Sequence, residues 1–174
     1  DVFAAAGVFA PGTVIEGIND SKKLTAGKRE KLFDEIVEKA EYFSIQRATV
    51  EEIERINILQ SAMLAMKRAV EDIDCSPDIV LIDGNKTPEI DFKTQAVVKG
   101  DGKSQSIAAA SILAKVARDK YMEEMAEIYP QYQFEKHKGY GTKLHYEMID
   151  KFGPCEIHRL SFLKKYYERK NQLP

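Results

Sequence analysis

The chain has 174 residues and a formal net charge of −2, from 26 basic and 28 acidic side chains. That length suits a single domain, residues 1–174, able to bury roughly 70% of its unfolded surface without a disulfide or a structural metal. With 44% hydrophobic and 31% charged residues, it is too apolar for disorder and too evenly charged for a polybasic arm.

The first segment, Asp1 to Phe9, reads as a buried strand with no lead-in. A run of this kind usually lies inside a sheet, where a preceding partner is expected. It is about half of what would span a bilayer and carries no basic leader, so neither a membrane segment nor a secretory signal is expected. Ala10-Pro11-Gly12 is a turn, and Thr13 to Gly17 reads as a short strand before the polar loop Asn19 to Lys23. A helix follows from about Thr25 to Ala40, with Leu32, Phe33, Ile36, Val37 and Ala40 as its buried stripe. Tyr42 to Ala48 alternates like a strand. Thr49 and Glu52 form a capping box that opens a short acidic turn. Leu59, Met63, Met66, Val70 and Ile73 then repeat at helical spacing, a stripe that belongs to a core rather than to a cofactor site.

Ser76-Pro77 ends that region. Ile79 to Ile82, four apolar residues between breakers, reads as a strand buried on both faces, with Thr94 to Lys99 as its companion. A glycine loop, Gly100 to Lys103, leads into a long helix from about Ser104 to Tyr129. Its first half is rich in alanine, so it can press closely on a sheet. A basic loop from Lys136 to Thr142, a helix near Lys143 to Phe152 and a charged tail complete the chain. Strands alternating with helices indicate an α/β architecture.

The chemistry-bearing candidates are few. Asp83 falls at the carboxyl end of a central strand, where open α/β sheets place ligands, although it could equally serve only the turn. Asp101 stands in a glycine-flanked loop just before a helix, where free N–H groups and the helix dipole favour negative groups. Two such carboxylates suit Mg²⁺ or Mn²⁺, which take oxygen ligands. Phosphodiester hydrolysis with two metals generally needs more than two acids. Gly102-Lys103-Ser104 looks like the end of a P-loop, but the glycine required five residues earlier is Val97, which rejects a nucleotide kinase. Asp119 lies roughly 22 Å along the helix from Ser104, so a surface ion pair with Lys115 suits it better than a share in Asp101's metal. Lys136, His137, Lys138, Tyr140 and Lys143 form a basic cluster around an aromatic flanked by glycines. Such a cluster serves phosphates and stacking, or else the tyrosine is a buried loop residue. Lys22, Lys23, Lys28 and Arg29 form a second basic group, either a phosphate contact or a solvated face. His137, His145 and His158 show no zinc spacing, and Cys75 and Cys155 no disulfide framework, which fits a reducing compartment.

Taken in order, Asn19 to Leu24, Asn57 to Gln60, Leu81 to Gly84, Lys99 to Asp101, Ser106 to Asp119, His137 to Thr142 and His158-Arg159 resemble bacterial ribonuclease HII, the type 2 ribonuclease H. The resemblance runs across nearly the whole chain. It implies a ribonuclease H-like mixed sheet flanked by helices, with a C-terminal helical segment. It also implies an endonuclease acting on RNA–DNA hybrids and on the 5′ side of ribonucleotides in duplex DNA. Two ions, Mn²⁺ or Mg²⁺, bound by four acidic residues are implied as well. On this resemblance Asp83 and Asp101 are metal and catalytic ligands, and Tyr140 stacks on the sugar at the RNA–DNA junction. Lys22, Lys103 and Lys138 are assigned to substrate binding, and a cytoplasmic monomer is expected. The family's first strand, ending in Asp-Glu, and its Gly-Arg-Gly turn have no counterpart here, and Asp1 is not the missing acid. An unfilled sheet position beside Val2 to Phe9 is therefore expected. The alternative carried beside the enzyme is a nucleic-acid-binding fragment with half a metal site.

Overall fold

A computed structural model describes residues 1–18 and 21–171; the expected polar loop therefore lies partly outside the described residues. Strand β1 (Val2–Val8) pairs antiparallel with β2 (Tyr42–Ala48), with Val2 opposite Ala48 and Val8 opposite Tyr42. Between them helix α1 (Ala26–Lys39) starts where the Thr25 hydroxyl accepts the Lys28 N–H and stops where Ala40 turns extended. No strand forms at residues 13–17, which run as turns and coil. Ile15 is instead buried among Leu32, Ile36 and the residues Ile112 and Leu113 of helix α3 (Gln105–Ile128), its N–H donated to the side chain of Gln105.

Helix α2 (Val50–Glu71) opens on the capping box of Thr49 and Glu52. The Glu52 carboxylate also takes two hydrogen bonds from Arg68, which hold its pKa down to about 2. The expected acidic turn and helix form one segment broken at Asn57, whose backbone is left-handed (φ 71°) and whose side chain caps the restart by accepting the Leu59 and Gln60 N–H groups. The buried line differs from the expected one in part: Val70 is buried as expected. Leu59 is 43% exposed, while Ser61, Ala65 and Ala69 are fully covered. A helix crossing a two-stranded sheet this closely has room only for small side chains at the contact, and Ala65 meets Ala4 and Ala48 there.

A second pair, β3 (Val80–Asp83) and β4 (Thr94–Val97), is parallel and in register from Val80 opposite Thr94 to Asp83 opposite Val97. Burial on both faces of β3 is not observed: Ile82 is buried, but Ile79 and Leu81 are more than a third exposed. The reason is a groove of about 450 Å³ between β1 and β3, to which Leu81, Met66, Val70, Ile73 and the α3 residues Ala110, Ser111 and Ala114 all contribute. Among the described residues each strand pair stands alone, with this groove between them.

Helix α3 (Gln105–Ile128) is continuous and capped by Ser104. Its small residues Ala108 and Ala109 are buried, and the helix spans the β1 side of the molecule to the C-terminal elements. These are α4 (Phe134–His137), α5 (Lys143–Phe152) and α6 (Leu160–Asn171). Tyr132 and Phe134 stack there over Met122, and Ser161 anchors α6 to Glu54 of α2. Among the described residues no helix is long and apolar enough to cross a membrane.

Candidate functional site

Asp83 ends β3 and stands exposed beside Gly84, whose φ of 119° is open to glycine and hostile to side chains. The first oxygen of its carboxylate accepts the Gly100 N–H at 2.8 Å. Gly100 opens the single 3₁₀ turn Gly100–Gly102 that carries Asp101 to the start of α3. A Cβ on Gly100 would lie 2.6 Å from the Ile107 methyl and 3.3 Å from the Asp83 oxygen, so only glycine allows this approach. The strand end and the loop before α3 are thus joined by a backbone-to-carboxylate bond. It draws the Asp83 carboxylate to the turn that bears Asp101. Lys103 follows that turn and is exposed.

The donor set is hard oxygen, the type that Mg²⁺ and Mn²⁺ take. Among the described residues no group of three or more His, Cys, Asp or Glu side chains converges in metal-binding geometry.

Tyr140, in the turn between α4 and α5, packs against a different part of α3. Its ring is 52% exposed, so it is not a buried loop residue. It lies over the Arg118 guanidinium at 4.6 Å and near the Lys115 ammonium at 5.4 Å, two cation–π contacts on one helix face. The turn beneath it is held at successive backbone groups. Arg118 donates to the Lys138 carbonyl at 2.8 Å, the His137 ring accepts the Gly139 N–H, and the Tyr140 N–H binds the His137 carbonyl. Gly139 itself sits at φ 73°, against Met122. An exposed ring on so constrained a turn is a preset surface for a planar or sugar-like partner.

The charges around it are partly committed. Lys138 pairs with Glu123 and is only 20% exposed. Arg29, expected in a solvated basic group, instead binds the Ser21 and Leu24 carbonyls and reaches Asp119 at 3.5 Å. This ties the segment 21–24 to α1 and α3, as does the bond between the Ser21 and Ser111 hydroxyls. Asp119 forms the expected pair with Lys115 at 2.5 Å, but it is 17% exposed rather than on the open surface, because Arg29 covers it. The Nη1 of Arg118 is buried, has no hydrogen-bond partner among the described residues, and lies 3.8 Å from Asp119.

Sequence reasoning missed Arg118 as a site residue. Its signal was the spacing of three from Lys115, which places both cations on one helix face. All three histidines are buried and hydrogen-bonded to one another, to backbone or to Cys155. Burial holds the His145 pKa down to about 4 and lowers that of His158.

Comparison with known proteins gives a consistent picture. The family model described as Ribonuclease HII matches residues 3–165. The chain is 56% identical to a protein named Ribonuclease HII from Caldicellulosiruptor bescii over 163 residues, covering 94% of this chain and 79% of that protein. It is 55% identical to the Ribonuclease HII of Idiomarina loihiensis over 161 residues, 92% of this chain and 86% of the relative. Among solved structures, the ribonuclease H2 of Pyrococcus horikoshii OT3 superposes with a TM-score of 0.72 at 22% identity, covering 99% of both chains. The structure of the PCNA:RNase HII complex from Archaeoglobus fulgidus gives a TM-score of 0.63 at 23% identity, over 85% of this chain and 78% of that one. At such identities the two archaeal structures establish a shared fold.

Proposed function

The chain belongs to the ribonuclease HII family, a family of metal-dependent endoribonucleases, and on that premise we propose that it cleaves the RNA strand of RNA–DNA hybrids and the 5′ side of ribonucleotides embedded in duplex DNA. The observation that carries this reading is the bond from the Gly100 N–H to the Asp83 carboxylate, which draws a strand-end acid to the turn bearing Asp101. Asp83 and Asp101 are the ligands we assign to divalent ions, Mg²⁺ or Mn²⁺. Such ions supply charge stabilisation at the scissile phosphate and an activated water. Tyr140 is assigned to the sugar at the RNA–DNA junction, because its exposed ring is held rigidly above Arg118 and Lys115. The cations beneath it draw the polyanion toward that face. Lys22 and Lys103, both exposed, are assigned to phosphates, and Lys138 to the substrate side of the Tyr140 turn. We take residues 1–174 as one domain that works as a cytoplasmic monomer.

The test is cleavage of a duplex carrying one ribonucleotide, titrated separately with Mn²⁺ and Mg²⁺, against an all-DNA control. Cutting 5′ to the ribonucleotide, with a 3′-hydroxyl on the upstream product, is the expected result. Metal-dependent binding with the ribonucleotide duplex left intact would sink the substrate assignment.

A further inference from the structure

We propose that His145 and His158 are positioning residues for Tyr140, fixing the pose of its turn through a one-way chain of hydrogen bonds that ends on its carbonyl oxygen. This rests on the substrate-facing role of Tyr140 given above.

The direction of the chain is forced from both ends. The backbone N–H of Cys155 can only donate, and it points at His158 Nδ1 at 2.9 Å. The Cys155 thiol, 3.0 Å from the same atom, can donate its S–H there as well; with that nitrogen accepting, the proton of a neutral His158 sits on Nε2. His158 Nε2 lies 3.0 Å from His145 Nε2, where two bare or two protonated nitrogens would repel. His145 Nε2 therefore accepts, and its own proton sits on Nδ1. From there it is donated at 3.0 Å to the Tyr140 carbonyl, which can only accept. Reading from the Tyr140 end gives the same tautomers, so the four groups are consistent in a single arrangement.

The surroundings protect it. His145 and His158 are 8% and 7% exposed, and both rings lie against Phe134, their centroids 5.8 Å and 5.6 Å from its own. His137 stacks on His145 at 4.4 Å, and its tautomer is fixed too: it accepts the Gly139 N–H on Nδ1 and donates from Nε2 to the Tyr132 carbonyl. Two histidines thus grip the turn at the Gly139 N–H and the Tyr140 carbonyl. Removing the bond from His145 leaves the Tyr140 carbonyl with the Thr142 N–H and frees the residue to rotate away from Arg118. A stacking surface that must be ordered on each encounter binds more weakly than one already set.

Two kinds of measurement test this. Nitrogen-15 NMR of the unmodified protein should show His145 protonated on Nδ1 and His158 on Nε2; either opposite tautomer overturns the proposal without any variant. In kinetics on a single-ribonucleotide duplex, His145→Leu should raise KM by about five- to tenfold, within the loss expected for a stacking contact, with kcat little changed. His145→Asn, whose amide N–H falls near the place of Nδ1–H, should recover most of the loss. His158→Gln keeps a donor near Nε2 and should stay close to the parent, whereas His158→Leu should not. In a Tyr140→Ala background His145→Leu should add nothing to KM. If Tyr140→Ala raises KM and His145→Leu raises it equally in both backgrounds, the histidines act elsewhere and this proposal fails alone. If Tyr140→Ala leaves KM unchanged, the substrate role of Tyr140 fails and takes the proposal with it.

Discussion

Asp83→Asn and Asp119→Asn remove one carboxylate each, and the structure assigns them opposite outcomes. Asparagine at 83 retains an oxygen that can accept the Gly100 N–H, now bonded at 2.8 Å. What the fold loses is the charged character of one part-buried hydrogen bond, about 1 kcal/mol. What the site loses is an anionic ligand, and turnover at saturating Mn²⁺ should fall by at least about a hundredfold. Asp119 is the reverse case. Its carboxylate meets Lys115 at 2.5 Å, Arg29 at 3.5 Å and Arg118 at 3.8 Å, all on side chains no more than 24% exposed. Neutralising it leaves three partly buried cations facing an amide. The cost lies between that of exposed and buried pairs, about 1–3 kcal/mol, or roughly 2–10 °C in Tm for a chain of this length. Turnover should drop far less, since α3 runs unbroken and carries Asp119 roughly 22 Å along its axis from Ser104. Paired thermal unfolding and single-turnover assays separate the two. Comparable losses of turnover in both variants would refute the assignment of the metal to the Asp83 end of α3.

Tyr140→Ala should weaken binding of a ribonucleotide duplex by up to about 1–3 kcal/mol while leaving Mn²⁺ affinity intact, checked by fluorescence anisotropy and metal titration. Gly100→Ala should lower turnover more than it lowers Tm, because the new methyl at 2.6 Å from Ile107 must push the Asp101 turn away from Asp83; an unchanged rate would show that this approach is unimportant. Acid should destabilise the fold in two windows. The unfolded chain takes up a proton at His145 near pH 6.5, which the folded protein refuses down to about pH 4, so stability falls by about 3 kcal/mol as pH drops across that interval. Glu52, held near 2 by Arg68 against 4.5 unfolded, adds its loss only below about pH 4.5. Chemical denaturation at a series of pH values reads both, and a flat profile between pH 6.5 and 4.5 would contradict the buried neutral histidine.

The legible part of this fold was local. Thr25, Thr49, Ser104 and Thr142 cap α1, α2, α3 and α5 with their own hydroxyls, and a cap acts within three residues of itself. Alternation over Tyr42 to Ala48 likewise reports one face of one strand. What misled were positions whose burial is decided by a neighbour distant in the chain. Leu59, Ile79 and Leu81 are as apolar as core residues, yet the groove and the surface leave them open. Ser61 and Ala65 look unremarkable in sequence and are fully covered, Ala65 by Ala4 of β1 and Ala48 of β2. Periodicity locates a helix and its apolar side; it does not say how closely the next layer approaches.

The candidate site divides along the same line. Asp83 was legible because a strand-end acid followed by glycine is a local pattern. Its bond to Gly100 is seventeen residues away in sequence and rests on α3 packing Ile107 against that glycine, a contact no spacing reveals. Tyr140 was legible as an aromatic between glycines, but its exposure follows from what grips its backbone. Arg118, twenty residues upstream, holds the turn at the Lys138 carbonyl, and His145 holds it at the Tyr140 carbonyl. Arg118 is the costly member, since it keeps a buried Nη1 without a hydrogen bond beside Asp119. A lysine there would carry the same charge to the Tyr140 ring but lacks the planar fork that reaches the Lys138 carbonyl while lying beneath the ring. Arg118→Lys should therefore preserve Tm and salt dependence while raising KM toward the value of Tyr140→Ala. A fully unaltered KM would mean that the turn is held by the histidine side alone.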